Sequence, residues 1–513
     1  MKTFQIWYLQ KYIIRFVNLS ERIALLGDNM LLNSLASASQ PAKCKVHNSV
    51  ASLFQLAKYR SIAFCSLMMI ILLSISSCCN YESSTKKQLD AFFDHLEKHD
   101  MGFGSVSIFS QEMEVYNRQI GFSDLERKKR NNKNTRFRIG SISKTFTAVA
   151  IFQMIEEDKL HLDTTLDLYF PAVKNSENIT IKHLLQHQSG IFNLTNDDTY
   201  PEWMLLPTTN EKLLERISSY EPLFEAGERE EYSNSNYTLL ALIMEKIDGD
   251  TYKNIIQNRI LTPLKLKNTQ ASGSIKSHKN NAKSYYKLQE WLQMPETDES
   301  ILIGSGGMIS TPSDLTVFFH SLFHGQLLTP ETVEMMKPTD TIFGLGLFTI
   351  PFYEDISYGH SGGIDGFQSV AGHFPDKNIT FSYISNGVAF PHNDVVIGVL
   401  SILSGREYEF PVFSDGMVIE IEILERYVGI YNSPDLPIEI AIFIENGQMM
   451  AQGTGQSAFP LTAEDEVTFT FATAHIKMIF DVENSTIDYT QGAFHTIFSK
   501  VNEDIEDIEI LND

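Results

Sequence analysis

Three short patches, Ser141-Ile142-Ser143-Lys144, Tyr232-Ser233-Asn234 and His360-Ser361-Gly362-Gly363, hold the residue types that nucleophilic catalysis needs. The pattern predicts that the first patch opens a helix over 141–160. Residues three apart share a helix face, so Lys144 can reach the hydroxyl of Ser141. Phe146, Val149, Ile151, Phe152, Met154 and Ile155 make the run apolar nearly all round, as in a buried helix. A lysine at the start of such a helix loses hydration, and its pKa falls toward the range where it accepts a proton. A serine beside that base is an activated nucleophile.

Ser-x-x-Lys alone says little, since Ser83/Lys86 and Ser84/Lys87 also match it. Those two lie in a polar stretch and read as linker. Gly359-His360-Ser361-Gly362-Gly363 also fits Gly-x-Ser-x-Gly, a nucleophile elbow that needs a strand before the serine and a helix directly after it. Residues 353–358 read as a strand, but 364–374 alternate like another strand and carry Gly366 and Gly372. That excludes the elbow. His183 and His187 have the spacing of zinc ligands, but Leu184 stands where a metalloprotease needs its glutamate. They read as packing and capping residues, and no metal or organic cofactor is expected. Tyr232 and Asn234, taken singly, also fit a turn and a cap before the helix-like run 237–247.

In this order the three patches resemble the serine β-lactamase and penicillin-binding-protein superfamily, in its class C β-lactamase-like branch. The resemblance extends to Phe137-Arg138-Ile139-Gly140, to residues 183–190, to Gly306-Gly307-Met308-Ile309-Ser310-Thr311 and to residues 343–347, and it covers about 88–410. It implies that Ser141 attacks a carbonyl and Lys144 helps deprotonate it. Tyr232 would serve as base or as acid to the leaving group, its phenol pKa lowered by a cationic pocket. Asn234 would hold Lys144 and the substrate amide. His360, Ser361, Gly362 and Gly363 would form the substrate-binding strand, with the N–H groups of Gly363 and Ser141 as oxyanion hole. True β-lactamases carry lysine where this chain has His360. Losing that fixed charge weakens the case for a carboxylate-bearing substrate and favours a peptidase or esterase.

The chain of 513 residues is 43% hydrophobic and 20% charged, which marks globular protein. Its formal charge of −23 divides into +6 over residues 1–60 and −29 beyond them. An acidic body of this kind is repelled by nucleic acid and by anionic membrane surfaces, so no nucleic-acid partner is expected. Cys44, Cys65, Cys78 and Cys79 are the only cysteines. Disulfides, thiolate catalysis and cysteine metal sites are thereby excluded after residue 79.

Lys58-Tyr59-Arg60, the apolar run 62–73 and the small residues before Cys78 predict a secretory signal of the lipoprotein type over 58–79. The lipid would sit on Cys78. The run is short for a membrane span, which needs about 20 residues. An exported protein of the cell envelope is expected, anchored in the membrane by lipid. Residues 1–57 read as an N-terminal extension, which a misplaced start site would explain. The resemblance implies an α+β hydrolase domain over 88–410, an antiparallel sheet flanked by helices beside a helical subdomain. Residues 417–505 read as short strands with an Asn446-Gly447 turn, a small β-barrel or meander.

The function expected is a serine hydrolase forming an acyl-enzyme on Ser141, acting on a D-amino-acid peptide, a cell-wall fragment, a β-lactam or a small ester. The alternatives are a penicillin-recognising sensor that acylates with little turnover and, less favoured because the reactive set is intact, an inactive scaffold.

Overall fold

The computed structural model describes residues 84–502, apart from breaks at 288–289, 412, 414–415, 418, 446, 455–457, 472–473 and 493. The extension 1–57, the signal segment 58–79 and Cys78 lie outside the described residues.

Residues 84–98 (α1) are helical, so Ser84 and Lys87 belong to a helix and not to a linker. Leu89, Phe92, Phe93 and Leu96 recur at helical spacing and are all buried, so the polar residues that had suggested a linker form the outer face. Next come β1 (Gly102–Ser110) and β2 (Met113–Ile120), then helices α2 (Ser143–Glu156), α3 (Asn234–Asp248) and α4 (Pro312–Phe323). Strands β3 (Phe348–Phe352), β4 (Asp355–Ile364), β5 (Phe367–Phe374) and β6 (Ile379–Val388) and helix α5 (His392–Leu403) complete the region.

The sheet runs β2-β1-β6-β5-β4-β3, and its long strands pair antiparallel. A short hairpin of Tyr285–Lys287 and Trp291–Gln293 pairs with the end of β6. Alternation along the strands serves two cores. Phe381 and Tyr383 of β6 face α1 and α5, whereas Ile384 joins the larger core of α2, α3 and α4. Phe146 of α2 stacks on Phe318 of α4, ring centroids 3.7 Å apart. Ser107 faces α4 and shares a hydrogen bond with Thr316 at 3.1 Å, so this buried hydroxyl is satisfied.

β3 pairs with β4 only from Asp355 to Gly359. Among the described residues the outer edge of β4 has no strand partner past Gly359, and Ser361 and Gly363 are exposed along it.

Residues 429–502 fold into a nine-stranded antiparallel sheet. Its two terminal strands, Phe459–Pro460 and Thr462–Ala463, are separated in sequence by Leu461 alone, so the sheet nearly closes into a barrel. The sequence pattern predicts strands over 438–444, 448–451, 467–471, 476–480, 486–489 and 495–498, and each has a counterpart, the last running on to Asn502. Gly429–Ser433 is an additional strand that the sequence reading missed.

Candidate active site

Ser141 lies in a 3-10 turn, Gly140–Ile142, and α2 begins at Ser143, two residues later than the sequence pattern predicts. Gly140, with φ of +50°, turns the chain sharply just ahead of Ser141. A Cβ on Gly140 would lie 2.8 Å from the Gly363 nitrogen, and one on Gly362 would lie 2.8 Å from the Ser141 nitrogen. The turn is thus pressed against one face of β4 at Gly362, and only glycines permit the approach. The Ser141 and Gly363 N–H groups are neighbours there. Ser143 braces the turn, donating to the Gly140 carbonyl at 2.7 Å and accepting from Met308 N–H at 3.2 Å.

A buried ion pair ties the same two segments together from behind. Arg138, in the short strand before the turn, meets Asp365 at 2.8 Å, and both side chains are buried. Asp365 forms the β4–β5 turn with Gly366 and also accepts from the N–H and hydroxyl of Thr297.

Lys144 is fully buried. Its ammonium donates to Asn234 Oδ1 at 2.6 Å and to the Ser305 carbonyl at 2.7 Å, and lies 3.2 Å from Ser141 Oγ. Burial holds its pKa well below that of ordinary lysine, and no carboxylate offsets the shift. Asn234 opens α3, and its orientation is fixed because Nδ2 donates to Thr195 at 3.0 Å while its N–H donates to Asn193. Oδ1 is therefore turned to Lys144.

The half-buried Tyr232 has its phenol beside the Ser141 hydroxyl, and the Lys144 ammonium sits 4.8 Å over its ring. The sequence reading expected a lowered phenol pKa. The structure overturns this, because desolvation raises the pKa and exceeds the opposing influence of Ser141. Tyr232 keeps its proton.

His360 is 2% exposed and stacks on Phe348, centroids 4.0 Å apart. Its Nδ1–H donates to the Ser361 carbonyl at 2.5 Å. Burial and the nearby Lys144 push its pKa down to about 3, so the ring is neutral at physiological pH. Ser361 and Gly363 are exposed along the β4 edge and Gly362 is partly so. β4 runs through Ser361 to Ile364 and turns into β5 with no helix between, so the elbow geometry is absent.

His183 and His187 do not converge on a common ligand. His183 forms a reciprocal cap with Thr180 at the start of a short helix. His187 is buried with φ of +58°, accepts the Ser233 N–H at 3.1 Å and packs against Tyr232 at 4.4 Å. It thereby fixes the loop that carries Tyr232. Sequence reasoning missed Ser305, Asn193 and Thr195, which orient the site through a backbone carbonyl, a side-chain amide oxygen and a hydroxyl. The glycines flanking Ser305 were the available signal for the first.

A family model described as Beta-lactamase matches residues 89–400. Penicillin-binding protein 4* of Bacillus subtilis is 26% identical over 449 residues, spanning 80% of this chain and 98% of its own length. The octameric penicillin-binding protein homologue from Pyrococcus abyssi superposes with a TM-score of 0.58 at 24% identity, over 80% of this chain and 99% of that one. A D-stereospecific amidohydrolase from Streptomyces gives 0.54 at 25% identity, over 64% and 99%. With a family match over more than half its length, this chain belongs to the Beta-lactamase family, within the serine β-lactamase and penicillin-binding-protein superfamily.

Proposed function

We propose that the protein is a serine hydrolase that forms an acyl-enzyme on Ser141 and cleaves an amide or ester. The observation that carries this reading is the environment of Lys144. A neutral amine has two N–H bonds and one lone pair. Asn234 Oδ1 and the Ser305 carbonyl accept both N–H bonds, which leaves the lone pair for the Ser141 hydroxyl. Desolvation favours the neutral form.

Ser141 Oγ attacks the carbonyl carbon as its proton passes to Lys144. The carbonyl oxygen takes up negative charge between the N–H groups of Ser141 and Gly363. Tyr232, protonated and beside Ser141 Oγ, delivers a proton to the leaving amine or alkoxide and is reprotonated from Lys144. Water then releases the acid and restores Ser141. The open β4 edge at Ser361–Gly363 accepts an extended peptide as an added strand, with Asn234 on its amide.

A neutral His360 offers no fixed cation to a carboxylate, so D-amino-acid peptides, cell-wall fragments anchored by other contacts and small esters are better substrates than penicillins. The amidohydrolase among the structural relatives supports the amide reading. The name of the Bacillus relative favours a second one, acylation by penicillin with little turnover. We further assign catalysis to residues 88–410 and an accessory role to the barrel at 417–505. The 58–79 segment supports export and lipid anchoring on Cys78. No helix among the described residues is long and apolar enough to cross a membrane.

The test is intact mass measurement after a fluorophosphonate, a penicillin and a D-Ala-D-Ala peptide in turn. An adduct lost in Ser141→Ala but kept in Ser361→Ala supports the assignment, and the reverse pattern moves the nucleophile to Ser361. A transient peptide or ester adduct with product release marks a hydrolase. A lasting penicillin adduct without turnover marks a sensor.

A further inference from the structure

Away from the cleft, the β1–β2 turn meets the C-terminal end of α4 in a cluster of two imidazoles and a carboxylate. Glu112, His320 and His324 each place a ligand atom within 4.8 Å of the other two. We propose that these three residues form a zinc-class divalent metal site that pins the β1–β2 turn to α4.

His320 and His324 are four residues apart, so they share one face at the end of the helix. Their rings stack with centroids 3.8 Å apart. Glu112 Oε2 lies 3.0 Å from His320 Nε2. That is near the separation of about 3.3 Å expected of two ligand atoms each about 2.0 Å from a tetrahedral metal. His324 Nδ1–H donates to the His320 carbonyl at 2.7 Å. This fixes its tautomer and leaves the Nε2 lone pair for a ligand, the orienting contact that metal-bound histidines use. His320 is 3% exposed and donates Nε2–H to Glu112, while its Nδ1 has no partner among the described residues, so binding a metal at Nε2 would displace that proton.

Glu112 and His324 are exposed while His320 is buried. The site is therefore open to solvent on one side and anchored on the other. Two histidines and one glutamate are a zinc donor set, with the fourth position left to water.

Full-length protein stripped with a chelator would be titrated with Zn²⁺ by calorimetry and with Co²⁺ by visible absorption. The expected result is one saturable ion per chain, with cobalt bands of four-coordinate nitrogen and oxygen ligation. His324→Ala and Glu112→Gln, both at exposed positions, should each weaken binding at least tenfold. Zinc should raise Tm in the parent protein and not in either variant, while the rate of Ser141 labelling stays unchanged. Failure of the parent to bind, or a loss below tenfold in either variant, would reduce the cluster to a histidine–carboxylate ion pair and overturn the proposal. A cobalt–thiolate band would place the metal on the N-terminal cysteines and overturn it as well.

Discussion

The C-terminal barrel and the cleft around Lys144 follow opposite rules. Along the barrel strand Ile476–Asp481, burial alternates residue by residue, with Ile476, Met478 and Phe480 inward. Among its described residues the barrel buries no charged side chain. In the cleft, Lys144 is buried with no carboxylate beside it, and a buried arginine meets a buried aspartate. Local preference and fold agree in the barrel. In the cleft, neighbours must hold buried charged groups that would otherwise be hydrated, as the proposed chemistry requires. The comparison predicts that cleft substitutions change rates and barrel substitutions change stability.

The largest change in rate is expected from Lys144→Ala. Loss of a positioned base costs on the order of 10²–10⁴ in acylation. Removing Tyr232 as well should cost little more, because the two serve one proton path. Stopped-flow acylation with a chromogenic ester measures both, and near-parental rates in Lys144→Ala would end the proposed mechanism.

Asp365→Ala probes the support instead of the chemistry. It leaves Arg138 buried without its counter-charge, a defect of about 3–5 kcal/mol. Because the pair joins the two backbone segments at Ser141 and Gly363, kcat should fall while KM changes less. Denaturant unfolding with parallel kinetics separates the two. Lost stability with an unchanged kcat would show that the pair holds the fold and not the oxyanion geometry.

The barrel strands were legible because period-2 alternation and turn residues determine them. Gly429–Ser433 escaped notice because it follows directly on a short helical turn, without a hydrophobic run of its own. The three patches were legible as motifs, and so was the meeting of Ser141 with Lys144, since three residues along a helical path fix it. The protonation state of Tyr232 was not, because desolvation depends on packing from remote segments such as 187 and 343. Spacing was also ambiguous for histidines. His183/His187 and His320/His324 are both four apart, yet only the second pair ends on one helix face beside a carboxylate.

His360→Lys sharpens the account of specificity. A cation at this position should shift preference toward carboxylate-bearing substrates by roughly 1.5–3 kcal/mol, the contribution of a charge-assisted hydrogen bond. The measurement is kcat/KM for a penicillin and a neutral ester in both proteins. Faster penicillin hydrolysis by the parent would show that a neutral His360 does not disfavour carboxylates.

Buried imidazoles should govern the response to mild acid, and the cleft supplies two of them, His187 and His360, beside His373 and His392 elsewhere in the sheet and on α5. Burial depresses the pKa of His187, and that of His360 to about 3, whereas in the unfolded chain both bind protons near pH 6.5. Between those values the unfolded state holds more protons, so stability falls as pH drops from about 6.5. Each imidazole contributes up to about 1.4 kcal/mol per pH unit. Urea midpoints from pH 7 to 4.5 measure the slope, and His360→Phe should lessen it. A slope unchanged in that variant would remove His360 as a source.

The smallest effect on rate is expected in the barrel. Met478 is fully buried in the barrel core, and its truncation to alanine leaves a cavity that costs about 2–5 kcal/mol. The barrel is joined to the catalytic region by contacts such as His475 with Asp394 at 3.6 Å, on the start of α5 and not at the Ser141 cleft. Under conditions where the variant is folded, kcat/KM should stay within about twofold of the parent, while the thermal midpoint falls by several degrees. Ester hydrolysis at low temperature and a melting curve monitored at the barrel test this. A tenfold loss of kcat/KM in the folded variant would mean that the barrel shapes the cleft, and the division between the two regions would fail.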